Sequence, residues 1–269
     1  PGMVMNGSTA IWAGDAGANK STLMRATAQA IRHGVDDVIP IKREGFPIWV
    51  NAEEAPEEHT RQLGNVNEAL GLKRTAPMFT IHARGMRIED LATRLEKAVR
   101  ETKATDIFID SLSRLAQGRS LNDNDTATLL VDSVSGFGCS VNWIGHTGWE
   151  NRNRLAGSRH FENAARVMVL VQSRQSNTRV VSNDLFRGVR TRVTKANGAL
   201  ETSPMLWTLA YHRQHGLLSA EQATEEDWPM LYCGASLGDR GVCGRRTWDG
   251  VNANLDVRCT RHRDEDGEP

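Results

Sequence analysis

No stretch of the chain approaches the ~18 consecutive apolar residues that a membrane span requires, so nothing in it reads as membrane-crossing. An excess of one charge is also lacking. The 33 basic and 33 acidic residues cancel, which excludes a global field that would draw the chain to nucleic acid or a lipid surface. Any such binding must come from a local patch. Cysteine is scarce, with four residues, and too unevenly placed for a disulfide scaffold: Cys139 stands alone, while Cys233, Cys243 and Cys259 crowd the C-terminal end. That usage suits a cytoplasmic protein with a metal site. The start at Pro1-Gly2 shows no basic region followed by an apolar stretch, hence no signal peptide. It also lacks an initiator methionine, which reads as a fragment or processed chain whose missing part could hold another domain. What is present, 39% hydrophobic and 25% charged over 269 residues, is enough for one sizeable core and a small appendage.

Strand-like and helix-like segments alternate through the first two thirds of the chain. Thr9–Ala13, Pro47–Ala52, Met78–Ala83, Asp106–Asp110, Ser140–Gly145 and Arg166–Val171 are short apolar runs of strand length. Between them, Ser21–His33 predicts a helix stopped by Gly34, and Pro56 opens another with Glu57 and Glu58 in its first turn, where the helix dipole favours acids. Ile88–Thr102 places Leu91, Leu95 and Val99 on one face, and Asn124–Val134 predicts a fourth helix. Asn177–Val181, Val189–Thr194 and Met205–Tyr211 read as strands with no helices between. The pattern predicts an α/β fold, with a mainly parallel central sheet covered on both faces and finished by antiparallel C-terminal strands. From Gly216 to Trp228 the composition turns polar and acidic. It reads as a linker or short helix, dividing a domain over residues 1–215 from a small module over 229–269 with an acidic tail.

Gly14-Asp15-Ala16-Gly17-Ala18-Asn19-Lys20-Ser21 follows the first strand and opens the first helix. It matches the phosphate-binding pattern G-x-x-x-x-G-K-[ST] except at Asn19. In that chemistry, backbone N–H groups and a helix N-terminus cradle phosphates, a lysine reaches the β/γ-phosphates, and a hydroxyl holds Mg²⁺. Lys20 and Ser21 fill those places, and Thr22 adds a hydroxyl near the α-phosphate. Asn is the residue after glycine that best tolerates left-handed backbone, at a cost of ~1 kcal/mol. Its side chain could crowd a phosphate or hydrogen-bond to it. Asp110 ends an apolar strand, where it could bind Mg²⁺. Glu53 and, behind it, Glu54 follow the strand ending at Ala52, where a carboxylate could position the attacking water. The plainer alternatives are a strand-end Asp capping a turn and a solvated acidic cluster.

GDAGANKST, WVNAEEAPEEHTRQL, FIDSLSRLAQG and SVNWIGHTGWENRNRLAGSRHFENAARVMVLV follow one another in the order of the RecA-like AAA_25/RepA-type ATPases, a family that includes hexameric replicative helicases of plasmids and phages. The resemblance runs from Ser8 to Tyr211. It implies an ATP-hydrolysing RecA-like P-loop fold in which Glu53 is the catalytic glutamate, Asp110 binds Mg²⁺, and His146 senses the γ-phosphate. Loops lining a channel for single-stranded DNA would fall at Thr147–Gly157, with Arg152 and Arg154. Val193-Thr194-Lys195-Ala196-Asn197 resembles the family's K-x-N element, which makes Lys195 a candidate cation acting on a neighbouring subunit of a homo-oligomeric ring or filament. A solvated lysine at the end of a hairpin is the competing reading. A RecA-like recombination or repair ATPase, or a nucleotide-binding scaffold with weak hydrolysis, are the alternative functions.

Cys233, Cys243, Cys259 and His262 are spaced C-x9-C-x15-C-x2-H. Three thiolates and an imidazole suit a closed tetrahedral Zn²⁺ site, and so short a module needs such a staple. The string resembles short phage and actinobacterial zinc modules. Its arginines and Trp248 could track a nucleic-acid backbone or form a solvated face.

Overall fold

The computed structural model describes residues 7–41, 43–148, 155–181, 184–197, 204–212, 216–224, 231–232 and 246–247. Its centre is a nine-stranded sheet. In chain order the strands are β1 (Thr9–Gly14), β2 (Pro47–Asn51), β3 (Phe79–His82), β4 (Asp106–Asp110), β5 (Ser140–His146), β6 (Val167–Val181), β7 (Asp184–Ala196), β8 (Met205–His212) and β9 (Gly216–Ala223). They lie in the order β3-β2-β4-β5-β1-β6-β7-β8-β9. Neighbours from β3 to β6 pair in parallel, and those from β6 to β9 pair antiparallel. Two short strands, β10 (Leu231–Tyr232) and β11 (Arg246–Thr247), pair separately.

The central apolar runs form strands because β1, β2, β4 and β5 are buried on both faces. Along each strand, alternate residues enter two different cores. Ile11, Ile48, Val50, Ile107, Ile109, Val141 and Trp143 face the helices α3 (Ile88–Thr102) and α5 (Asn124–Ser135). Trp12, Trp49, Phe108 and Ile144 face α1 (Lys20–His33) and α2 (Pro56–Ala69), and this second core continues onto β7 to β9 through Val189, Trp207, Leu209 and Leu217. The helices start and stop for local reasons. α1 closes at Gly34, whose N–H bonds the Ala30 carbonyl. Pro56 occupies the first turn of α2 together with Glu57 and Glu58. In α3, Leu91 and Leu95 are buried and Val99 packs beside them. Two short helices, α4 (Leu112–Leu115) and α6 (Arg159–Ala164), have no counterpart in the sequence reading. Cys139 is a buried core thiol, its Sγ 3.0 Å from the Ala104 carbonyl.

One sequence expectation is overturned. Gly216–Ala223 is neither linker nor helix but β9, paired with β8 from Leu206↔Ala223 to His212↔Gly216. The sheet therefore crosses the expected boundary at residue 215. The reason is its edge position: Leu217 is buried under α2, while Leu218 and Glu221 face water. A strand covered on one side carries polar composition, and pairing overrides the helical preference of Ala, Glu and Gln. Cys233, Cys243, Cys259 and His262 lie outside the described residues, as do Arg152 and Arg154. Among the described residues no helix is long and apolar enough to cross a membrane.

Candidate nucleotide site

Parallel register brings the site together. Gly14 lies opposite His146 across β1 and β5, and Asn51 lies opposite Asp110 across β2 and β4. The residues that end four strands thus share the carboxyl edge of the sheet, where open α/β folds place ligands.

The loop after β1 has the shape its sequence demands. At Gly14 a Cβ atom would stand 2.3 Å from the Val171 carbonyl oxygen, so only glycine fits against β6. Gly17 and Asn19 both adopt left-handed backbone, with φ of 75° and 64°. The Asn19 carbonyl accepts the first bond of α1, from Leu23 N–H at 3.0 Å. Helix geometry leaves the N–H groups of Lys20, Ser21 and Thr22 without partners inside the helix, which makes this end an anion cradle. The Asn19 side chain does not lie free beside that cradle. Its Nδ2 donates to Ser173 Oγ (3.0 Å) and its Oδ1 accepts from Tyr211 Oη (2.8 Å).

Lys20 is buried, with Nζ donating to the Gly14 and Asp15 carbonyls at 2.7 Å each and standing 3.5 Å from His146 Nδ1. Burial pulls its pKa below the usual lysine value, against the pull of Asp110, Asp15 and Glu53. His146 is likewise lowered by burial and by the Lys20 charge, which favours the neutral ring. The Thr147 hydroxyl donates to Asp15.

Asp110 is buried at the end of β4, and burial pushes its carboxyl up to about 6, while Arg25 and the hydrogen-bonded Ser21 hydroxyl oppose that rise. Its Oδ1 is buried without a hydrogen-bond partner. A hydroxyl and a carboxylate side by side, with one carboxylate oxygen unpaired, fit a Mg²⁺ ion held by Ser21 and Asp110. Among the described residues no group of three or more His, Cys, Asp or Glu side chains is placed to hold a metal by itself.

The two candidate glutamates part ways. Glu53 accepts a hydrogen bond from Ser111 Oγ at 2.9 Å and contributes to the field at Lys20 and His146. Glu54 turns into the protein and pairs with the fully buried Arg25, which also bonds Gln62 and lies over the Trp49 ring. Asn51 fixes this turn from both sides: its Oδ1 accepts from Glu54 N–H and its Nδ2 donates to the Glu54 carbonyl, each at 3.0 Å. Burial raises the Glu54 pKa and Arg25 lowers it. Lys195 stands apart from this group, its Nζ on the carbonyls of Glu162 and Asn163 at the end of α6.

Several residues that shape the site carry faint local signals. Arg25 is a charge on the buried face of α1, four residues after Ser21, and that misplacement is itself the clue. Ser111 and Asn51 adjoin expected site residues. Ser173 and Tyr211 have no signal near the loop they contact.

The family model AAA_25, described as an AAA domain, matches residues 1–152. A search of curated proteins returns no match. Among solved structures, a KaiC-like protein from the hyperthermophilic archaeon Pyrococcus horikoshii OT3 is similar over 82% of this chain and 91% of its own, with a TM-score of 0.55 and 15% identity. At that identity the likeness speaks for the fold: an α/β RecA-like core with a mostly parallel sheet and an antiparallel extension.

Proposed function

The chain belongs to the AAA_25 family of RecA-like P-loop ATPases, and from that premise we propose that it is a Mg²⁺-dependent ATP hydrolase. One observation carries the proposal: Lys20, Ser21, Asp110, Glu53 and His146, spread over more than a hundred residues, meet at one edge of the sheet. ATP phosphates occupy the amide cradle at the start of α1, and Lys20 leaves its two loop carbonyls to meet the β/γ-phosphates. Mg²⁺, held by Ser21 and Asp110, supplies charge neutralisation on the phosphates. Glu53, oriented by the Ser111 hydroxyl, aligns the attacking water and draws its proton. Neutral His146, the last residue of β5 and 3.5 Å from Lys20 Nζ, hydrogen-bonds the γ-phosphate. Glu54 serves the turn rather than the water. Phosphate release from Mg-ATP by the full chain tests this. Turnover that is abolished by Lys20→Ala supports the reading, and ATP binding without turnover sinks it.

The finer reading is a DNA translocase or helicase of a phage or plasmid replication system. It rests on the order and wording of the sequence segments through Val171. Here single-stranded DNA meets Arg152 and Arg154, Lys195 reaches a neighbouring subunit of a ring or filament, and Zn²⁺ sits on Cys233, Cys243, Cys259 and His262. Stimulation of ATP turnover by single-stranded DNA, a ring in electron micrographs with an ATP analogue, and one zinc per chain by elemental analysis are the expected results. The strongest ground for a hydrolysis-impaired scaffold is Asn19. A left-handed Asn19 whose side chain is engaged by Ser173 and Tyr211 removes much of that ground.

A further inference from the structure

Asn19 stands where the phosphate-binding pattern has glycine, and three strands of the antiparallel extension converge on it and its neighbours. From β6, Ser173 Oγ accepts from Asn19 Nδ2; from β8, Tyr211 Oη donates to Asn19 Oδ1. From β7, Arg187 reaches the Gly17 carbonyl at 3.4 Å and lies 5.6 Å from the centre of the Tyr211 ring. Tyr211 also hydrogen-bonds the Thr22 side chain, in the first turn of α1. These contacts join positions more than 150 residues apart in the chain. A glycine at position 19 would adopt the same dihedrals but offer nothing to grip. Its greater backbone freedom would have to be lost on each binding event.

We propose that Asn19, Tyr211 and Ser173 form a clamp that sets the phosphate loop in its receiving shape, so that nucleotide affinity depends on the antiparallel extension being docked against the loop. All three are positioning residues, acting through the loop backbone rather than on the phosphates. The proposal rests on the nucleotide-binding reading above and adds a specific dependence to it. A free loop glycine is replaced by an amide held at both ends, and the strands that hold it lie outside the hydrolytic edge.

The test is a double-mutant cycle read by titration of the full chain with a fluorescent ATP analogue and Mg²⁺. Tyr211→Phe removes one hydroxyl and keeps the ring. It is expected to weaken binding about 5- to 10-fold when residue 19 is Asn and less than about 2-fold in the Asn19→Gly background. Asn19→Gly alone is expected to weaken binding by a similar factor while kcat moves far less. A general loss of packing at Tyr211 would act equally in both backgrounds, so the cycle separates it from the clamp. Ser173→Ala gives the same cycle through the other hydrogen bond, should Tyr211→Phe fold poorly. Equal effects in the two backgrounds, or tighter binding by Asn19→Gly, overturn the clamp. Failure of the unsubstituted chain to bind the analogue at all overturns the nucleotide reading, and the clamp with it.

Discussion

The parallel half of the sheet and its antiparallel extension divide the labour. In the parallel half, β2, β4, β5 and β1 are short, apolar and buried on both faces, and each ends in a residue of the site. From β6 to β9 they are longer and half-polar, and they send side chains sideways onto the phosphate loop. The first half carries the groups to which we assign the phosphates and the attacking water. The second half carries groups that shape the loop. The contrast teaches that a motif with a substituted position can be completed by a distant part of the chain, through geometry rather than through chemistry.

The sharpest way to break this division is Glu53→Gln. It should lower kcat by about 10²- to 10⁴-fold, with ATP affinity kept within about twofold. If Glu54→Gln causes the greater loss in phosphate release, the water-positioning role passes to Glu54 and the parallel half must be reassigned. A step smaller is Arg25→Ala. It removes the guanidinium that lies over the Trp49 ring, leaves Glu54 without its partner and should cost about 3 kcal/mol in urea unfolding. Ser173→Ala in the extension removes one part-buried hydrogen bond and should cost no more than about 1 kcal/mol. Equal costs would mean that the extension carries structural weight comparable to the core behind the carboxyl edge of the parallel strands.

A third test uses pH. His59 is buried between Trp49 and His82, and burial, with Arg25 and His82 adding, lowers its pKa from 6.5 to about 4. Between those values the unfolded chain binds a proton that the folded chain refuses. Stability is therefore full above about 6.5 and declines as pH falls toward 4. His59→Gln should flatten that part of the profile of urea midpoint against pH; an unchanged slope would place the acid sensitivity elsewhere. The smallest effect belongs to the exposed Glu58–Arg61 pair on α2, where Arg61→Ala should shift unfolding by no more than about 0.5 kcal/mol.

What could be read from the sequence follows the same division. Strands buried on both faces announce themselves as apolar runs, so β1, β2, β4 and β5 were legible. So was the left-handed tolerance of Asn19. Glu53 and Glu54 could not be separated from the sequence, because the difference lies in Arg25, on another element and buried only in the fold. β9 read as a linker because an edge strand keeps a solvated face and needs a neighbour to declare itself. Tyr211 was legible only as part of a strand. Its meeting with Asn19 depends on the path of the three strands before it, which no local pattern encodes.

β6 belongs to both halves: it runs parallel to β1 and antiparallel to β7. At roughly 3.3 Å per residue its 15 residues span about 50 Å. The close approach of Gly14 to the Val171 carbonyl lies within its first third. β6 is thus a splice between the two halves: its start is pressed against the phosphate loop at Val171, and the shift in its pairing with β7 between Gln175 and Val180 means that Ser173 and the far end of the strand do not share one unbroken ladder.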